Sequence, residues 1–480
     1  MFKCGDSAFD QAFCQRFRVC LTNSNGSVPA IWISEKTDIS ILNSLLVLSG
    51  MRILPTRISD EDLESKIGDC FGLQEETASR LQLDSIITDR TEESKSDSTI
   101  VREINSIVMD CIHRGASDIH FEPGERDLLC RCRLDGMLLE NKRIARERVA
   151  ETLSRIKIMS GLDIAEKRRP QDGRIRFPVD GRTVDIRVST IPTDFGEKAV
   201  LRVLDKQSLR LDLKELGFST SQLQLFVERI AQPNGIILVT GPTGSGKTTT
   251  LYAVLQHLKS PTVNISTVED PIEYNLEGIN QTQVKPDIHL TFAAMLRAIL
   301  RQDPNIIMIG EIRDRETLDV AVQASLTGHL VLSTVHTNSA VATVTRLLDM
   351  GAEPYLLASS LKLIVAQRLV RKLCPQCLTE RLDEAYHAAA RKLGITLGRE
   401  ARASNSCSAC GSTGYRGRTA IYELLPVEKE IGNAINNSAS EQEVLTIARR
   451  NSFQTMAETA AGLINSGITS PIEVLRELGS

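Results

Sequence analysis

Apolar positions along the chain change their period several times, and the changes divide it into segments. Ile100, Ile104, Ile107, Val108 and Cys111 recur three or four residues apart, the spacing of one buried helix face. Leu128–Leu134 and Val184–Val188 instead alternate apolar with polar residues, as half-buried strands do, and Asp135-Gly136 and Asp180-Gly181 are hairpin turns in composition. These patterns predict an α+β domain over residues 99–210. A helical pattern at Leu223–Ile230 then precedes Gly235–Thr240, a short apolar run that reads as a buried strand opening a third domain, 211–370. Upstream, residues 1–90 mix short apolar runs with Gly and Pro and hold no chemical motif. Arg90–Ser98 is polar throughout and predicts a flexible linker at 91–98.

The glycines after that strand bring in chemistry. Gly241-Pro242-Thr243-Gly244-Ser245-Gly246-Lys247-Thr248, followed by Thr249, stands between a predicted strand and a helical stretch holding Leu251, Val254 and Leu255. This is the phosphate-binding loop in its required strand–loop–helix setting. Glycines let backbone N–H groups turn inward around a phosphate chain, Lys247 reaches the β- and γ-phosphates, and the Thr248 hydroxyl can ligate Mg²⁺. Such an enzyme also needs carboxylates near the metal and the attacking water. Two candidates follow: Glu311, at the end of the apolar run Asn305–Ile309, and Glu273, in Val268-Glu-Asp-Pro-Ile-Glu273 after a predicted strand at Thr262–Thr267. Either cluster alone is more often a solvated loop charge; in register behind a P-loop they point to catalysis.

Composition sets the frame for this chemistry. The 480 residues leave room for about three or four domains. With 41% hydrophobic and 25% charged residues the chain is globular in composition, which excludes wholesale disorder and rod-like assemblies. Lys plus Arg is 57 against 61 for Asp plus Glu, a net charge of −4 that offers no general field for nucleic acid. Met1–Asp10 carries Lys3, Asp6 and Asp10 with no apolar stretch behind them, and Ile41–Leu54 is broken by Asn43, Ser44, Gly50 and Arg52. Neither a signal peptide nor a membrane span of ~20 residues is predicted, and the expectation is a cytosolic chain.

In a reducing compartment, closely spaced cysteines read as metal ligands rather than disulfides. Four of the 11 cysteines form two C-x₂-C pairs, Cys374/Cys377 and Cys407/Cys410, with 29 residues between the pairs. Four thiolates suit tetrahedral Zn²⁺ and leave no open position for water, so the expected role of this module, 371–425, is structural. The insertion, with four alanines in Leu382–Leu393, reads as helical. Cys4, Cys14, Cys20, Cys70, Cys111, Cys130 and Cys132 are dispersed and expected to be free buried thiols. Residues 426–480 read as short helices without chemistry.

The ordered set of P-loop, Glu269-Asp-Pro-Ile-Glu273, Gly310-Glu-Ile-Arg313 and Thr327-Gly-His-Leu-Val-Leu-Ser-Thr-Val-His336 resembles the ATPases of type II secretion and type IV pilus assembly. Ala116-Ser-Asp-Ile-His-Phe-Glu-Pro123, Arg131-Cys-Arg-Leu-Asp-Gly136, Pro170-Gln-Asp-Gly-Arg174, Val184-Asp-Ile-Arg-Val-Ser-Thr190 and Gly414-Tyr-Arg-Gly-Arg-Thr-Ala-Ile-Tyr-Glu423 extend the resemblance over roughly residues 98–480. It implies an α/β fold: a RecA-like ATPase domain behind an α+β, PAS-like domain, with a zinc-binding insertion and a small N-terminal docking domain. It implies ATP, Mg²⁺ and Zn²⁺ as ligands and a homohexameric ring at the cytoplasmic face of the inner membrane. There the ring would dock on platform proteins of a secretion or pilus machine through 1–90. By the same carry-over Glu273 is the water-activating base, Glu311 the Walker B acid, and His329 and His336 link nucleotide state to conformation. Arginines from a mobile domain can stabilise charge on a transferring phosphoryl group. Arg187 and Arg202 are the candidates, with Arg174 behind them, and Arg131 and Arg133 read as surface ion pairs. Retraction ATPases of this kind lack the tetracysteine, which points to assembly or secretion, and the short N-terminal region tilts the reading to type II secretion. Two alternatives remain: a nucleotide-gated scaffold with little turnover, and a DNA-translocating motor, against which the acidic balance argues.

Overall fold

The computed structural model describes residues 93–205 and 211–479, together with 19–22, 30–34, 37, 55–60, 62, 63, 66 and 67. The stretch Ile41–Leu54, Cys4, Cys14, Cys70, the side chain of Cys20 and the domain boundary at 210 lie outside the described residues. The chain divides into two compact units, Met1–Glu103 and Ile104–Ser480. In the first, β1 (Val19–Thr22) pairs antiparallel with β2 (Ala30–Ile33), which pairs parallel with β3 (Pro55–Arg57). Leu63 and Ile67 are buried and Lys66 lies over the Trp32 ring at 4.4 Å.

The helix Glu93–His113 begins inside the stretch whose polarity predicts a linker. A run of Glu, Lys, Asp and Ser suits a solvated helix as well as a linker, and composition alone does not separate the two. The second unit opens with six antiparallel strands: β4 (Asp118–Pro123), β5 (Asp127–Leu134), β6 (Met137–Ala145), β7 (Gln171–Val179), β8 (Arg182–Thr193) and β9 (Gly196–Leu204), in the order β6-β5-β4-β9-β8-β7. Asp135-Gly136 and Asp180-Gly181 both have positive φ at both positions, the twist that a two-residue hairpin requires. One sheet face carries buried Ile119, Phe121, Cys130, Cys132, Ile186, Val188 and Leu201, and the Cys111 thiol from the helix bonds Cys132. The predicted free buried thiols are therefore found at Cys111, Cys130 and Cys132. The other face is polar.

Seven strands form the second sheet: β10 (Gly235–Thr240), β11 (Ile265–Glu269), β12 (Asn280–Gln283), β13 (Ile306–Ile309), β14 (Leu330–Val335), β15 (Leu361–Leu373) and β18 (Tyr415–Pro426). Their order is β12-β11-β13-β14-β10-β15-β18, every neighbour parallel except β15 with β18. β10, β11, β13 and β14 are buried at every position, as strands covered on both faces must be. One face packs Ile237, Val239 and Leu332 against Phe226 and Leu251–Leu255 of helices Thr220–Ile230 and Lys247–Leu258. The other packs Ile236, Leu238 and Val331 against helices Phe292–Ile299, Arg315–Leu326 and Ala340–Asp349.

Two predicted boundaries change. β15 and β18 pair over nearly their whole length, so both belong to the seven-stranded sheet and the tetracysteine segment is an insertion between them, residues 374–414. It contains the expected helix, Glu384–Lys392, and a small ladder of β16 (Leu378–Thr379) with β17 (Ala403–Ser404). The C-terminal helices are not a separate region either: Ile431, Ile435, Val444, Ala460 and Val474 join the same core as β10 and β14. Buried Glu423 of β18 ties them in by accepting from Ala340 N at 2.8 Å and Met456 N at 3.3 Å, the N-terminal turns of two helices.

Candidate active site

The loop after β10 turns through Gly241, Gly244 and Gly246, all at positive φ, into the helix that Lys247 opens. Lys247 is buried and its Nζ donates to the Gly241 and Pro242 carbonyls at 2.8 and 3.0 Å. Burial, with the Arg368 charge added, brings its pKa down to about 8 against the pull of Glu311. Ser245 Oγ is buried with no hydrogen-bond partner among the described residues. A buried ammonium held by loop carbonyls and an unmatched hydroxyl fit a phosphate chain, whose oxygens would accept from both.

Parallel strands bring the rest to the same edge. Glu311 follows β13 and His336 follows β14, adjacent strands of which β14 lies beside β10, and His336 Nε2 lies 3.1 Å from Glu311 Oε2. Arg313 closes an ion pair on the other Glu311 oxygen. In the acidic motif after β11 the two glutamates differ. Glu269 is buried and accepts from the Tyr252 hydroxyl, from Thr267 Oγ1 at 2.5 Å and from Gln281 Nε2 at 3.0 Å. Glu273 is partly exposed and meets Arg187 Nη1 at 3.3 Å, while Arg187 Nη2 donates to the Ile272 carbonyl at 2.5 Å. His329 goes elsewhere. It precedes β14, so a strand of six residues, roughly 20 Å, separates it from His336, and its Nδ1 faces the Ala324 carbonyl at 2.9 Å.

The arginines form a row across the six-stranded sheet. Arg174 of β7 stands opposite Arg187 of β8, Arg187 opposite Arg202 of β9, Arg202 opposite Asp118 of β4, and Asp118 opposite Arg133 of β5. Residues in register share a face. Arg187 reaches the acidic motif; Arg202 is held by Asp118 at 3.0 Å with its side chain half-exposed. Arg131 and Arg133 pair with Glu122 and Asp118 at 2.6 and 3.6 Å, the ion pairs expected of them.

Cys374, Cys377, Cys407 and Cys410 bring their Sγ atoms within 4.8 Å of one another, with 3.8 Å between Cys374 and Cys407 and 3.6 Å between Cys407 and Cys410. Four thiolates at ~2.3 Å around a tetrahedral Zn²⁺ stand ~3.8 Å apart, so the donor set fits zinc. Cys410 Sγ accepts from the Cys407 and Gly414 N–H groups at 3.4 and 3.2 Å, which favours a thiolate.

The family model described as Type II/IV secretion system protein matches residues 93–476. The chain belongs to that family. It is 54% identical over 391 residues to the type II secretion system protein E of Pseudomonas aeruginosa, covering 80% of this chain and 76% of the relative. With the type II secretion system ATPase E of Vibrio cholerae it shares 48% over 421 residues, 87% of this chain and 81% of that one. Among solved structures it resembles the pilus retraction motor PilT with bound ADP, at TM-score 0.53 and 27% identity over 78% of this chain and 96% of that one. It shares the fold of the ATPase DotB of Legionella pneumophila, TM-score 0.58 and 23% identity over 78% and 95%. For this secretion-family ATPase, sequence reading passes over Gln367 and Arg368. Arg368 is buried on β15 and donates to the Asn338 carbonyl at 3.1 Å and the Gln367 carbonyl at 3.2 Å. A Gln-Arg pair inside an apolar strand is the one signal that could have found both.

Proposed function

We propose that this secretion-family ATPase is a Mg²⁺-dependent motor that hydrolyses ATP to drive assembly of a type II secretion pseudopilus or, as the other member of the same class, a type IV pilus. The observation that carries it is that Lys247, Glu311 and Glu273 all follow the ends of parallel strands of one sheet, β10, β13 and β11. In this reading Lys247 exchanges its loop carbonyls for the β- and γ-phosphates, with the N–H groups of Pro242–Thr249 completing the cradle. Thr248 would hold Mg²⁺ directly and Glu311 through water; the metal would neutralise charge on the phosphates. Glu273 orients the attacking water once Arg187 leaves it for the γ-phosphate, and Arg202 adds a second positive group from the same sheet. His336 senses Glu311 directly, and His329 serves at the far edge of β14.

The six-stranded sheet is then the PAS-like domain whose closure over nucleotide is the working motion. The chain acts as a homohexamer, docked peripherally on the cytoplasmic face of the inner membrane through 1–90, without nucleic acid. No helix among the described residues is long and apolar enough to cross a membrane. The tetracysteine holds structural Zn²⁺. Glu273→Gln tests the reading: ATP binding should persist while steady-state hydrolysis falls by ~10²-fold or more. A Gln variant that hydrolyses ATP at the wild-type rate would remove the base, and a wild type without turnover would favour the scaffold.

A further inference from the structure

We propose that Gln367 is a positioning residue that sets the shape of the phosphate-binding loop from the neighbouring strand, an inference resting on the ATPase reading. Ala366 of β15 is the last residue in register with β10, opposite Thr240, so Gln367 stands beside the first residue of the loop. Its side chain is buried and its carboxamide is used at both ends. Nε2 donates to the Ser245 carbonyl at 2.7 Å, and Oε1 accepts from Thr250 Oγ1 at 2.7 Å. One side chain thus spans the loop and the first turn of its helix.

The loop glycines record the same closeness. A Cβ on Gly241 would collide with the Gln367 carbonyl oxygen, and one on Gly246 would lie 2.8 Å from Gln367 Nε2. Both glycines have positive φ, yet the nearest atom at each belongs to Gln367, with Ser245 Oγ at 2.6 Å also close at Gly241, so these positions accommodate the strand as well as the nucleotide. Holding the Ser245 carbonyl towards β15 keeps carbonyl oxygens out of the cradle, where a lone pair would repel phosphate, and leaves N–H groups to face inward. A carboxamide suits this task because it offers a donor and an acceptor of fixed orientation; a carboxylate would set two lone pairs against the Ser245 oxygen.

The clamp acts on the loop in ground and transition states alike, so its loss should raise KM and leave kcat nearly unchanged. In the full-length chain, Gln367→Glu and Gln367→Ala should each raise the KM for ATP and the dissociation constant for ADP by ~10-fold, with kcat within about threefold. Leu363→Ala, a buried position on the same strand away from the loop, is the structural control: its melting temperature should fall with KM unchanged. Gln367 variants that melt early but keep wild-type KM and ADP affinity would overturn the proposal. Should both fail to fold, Thr250→Val must weaken ADP binding and Thr250→Ser restore it; equal affinities in the two would overturn it as well. A wild type that binds ADP without hydrolysing ATP would defeat the motor reading, while the ADP titrations would still decide the clamp.

Discussion

Strand β15 flanks two polar clusters built on opposite principles. Beside Gln367 lies the P-loop, where Lys247 is buried against its charge and held by carbonyls that a ligand can displace. Four residues on, Arg371 meets Glu473, whose side chain is 1% exposed; Glu473 also accepts from the Arg371 N–H and from Arg476. The Arg371 guanidinium lies over the Tyr415 ring, Tyr415 bonds Ser470, and Cys374 opens the four-cysteine cluster. Both Lys247 and Glu473 have lowered pKa values, about 8 and about 2, with opposite meaning. Burial strips Lys247 of part of its preference for charge. Burial alone would raise Glu473, and its bonds from Arg476 and Arg371 overcome that and fix it as a carboxylate. Burial does not separate a working site from a structural one; the presence of partners that can be exchanged does.

The sharpest break in this comparison is at Lys247. Lys247→Ala should lower ATP turnover by at least ~10²-fold with little change in melting temperature, since it removes an ammonium whose own burial was unfavourable. Steady-state hydrolysis beside thermal unfolding reads both. The four-cysteine end should answer in reverse. Cys374→Ser should lower zinc content from about one ion per chain to near zero and lower the melting temperature, with the KM for ATP kept by what remains folded. Metal analysis giving one ion in both wild type and variant would sink the site.

A smaller effect on the same side comes from Glu473. A carboxylate held at about 2 instead of 4.5 contributes on the order of 3 kcal/mol at neutral pH. Because its folded pKa is depressed, that contribution is present above ~4.5 and is lost as pH falls towards ~2. Glu473→Gln should therefore destabilise the chain by about 3 kcal/mol at pH 7 and by little at pH 2.5, with nucleotide affinity unchanged; denaturant unfolding at the two pH values is the check.

What could be read from the residues follows the range over which each feature is encoded. The P-loop, the hairpin turns and the cysteine pairs are local, and strand β10, both turns and the four sulfur positions stand where spacing predicts. The partition at 371 fails because β15 and β18 are partners across the 374–414 insertion, and no local pattern records a pairing that distant. Gln367 and Glu473 are single polar residues whose partners lie 122 and 102 residues away in sequence, so their environments appear only once the sheet is assembled. The linker at 91–98 misled because a charged helix start and a solvated linker share a composition. His329 is different: six strand residues lie between it and His336, and counting them would have set the two at opposite edges.

The smallest expected effect is a pH dependence peculiar to the exchangeable end. Without nucleotide, Lys247 titrates near 8; phosphates around it restore the charge and return the pKa towards or above 10.5. Between those values, binding must take up a proton, so affinity is greatest below about 8 and declines as pH rises through it. By pH 9 ADP should bind ~10-fold more weakly than at pH 7. Calorimetric titration in buffers of different ionisation enthalpy should find uptake approaching one proton per ADP at pH 9 and near zero at pH 7. The free chain moves the other way: its unfolded state holds the Lys247 proton between about 8 and 10.5 while the folded state has shed it, so this residue adds stability as pH rises. Opposite pH trends for affinity and stability, traced to one side chain, would mark Lys247 as a group kept short of its partner. ADP affinity that stays flat from pH 7 to 9 would place it with Glu473, among groups already satisfied by the fold.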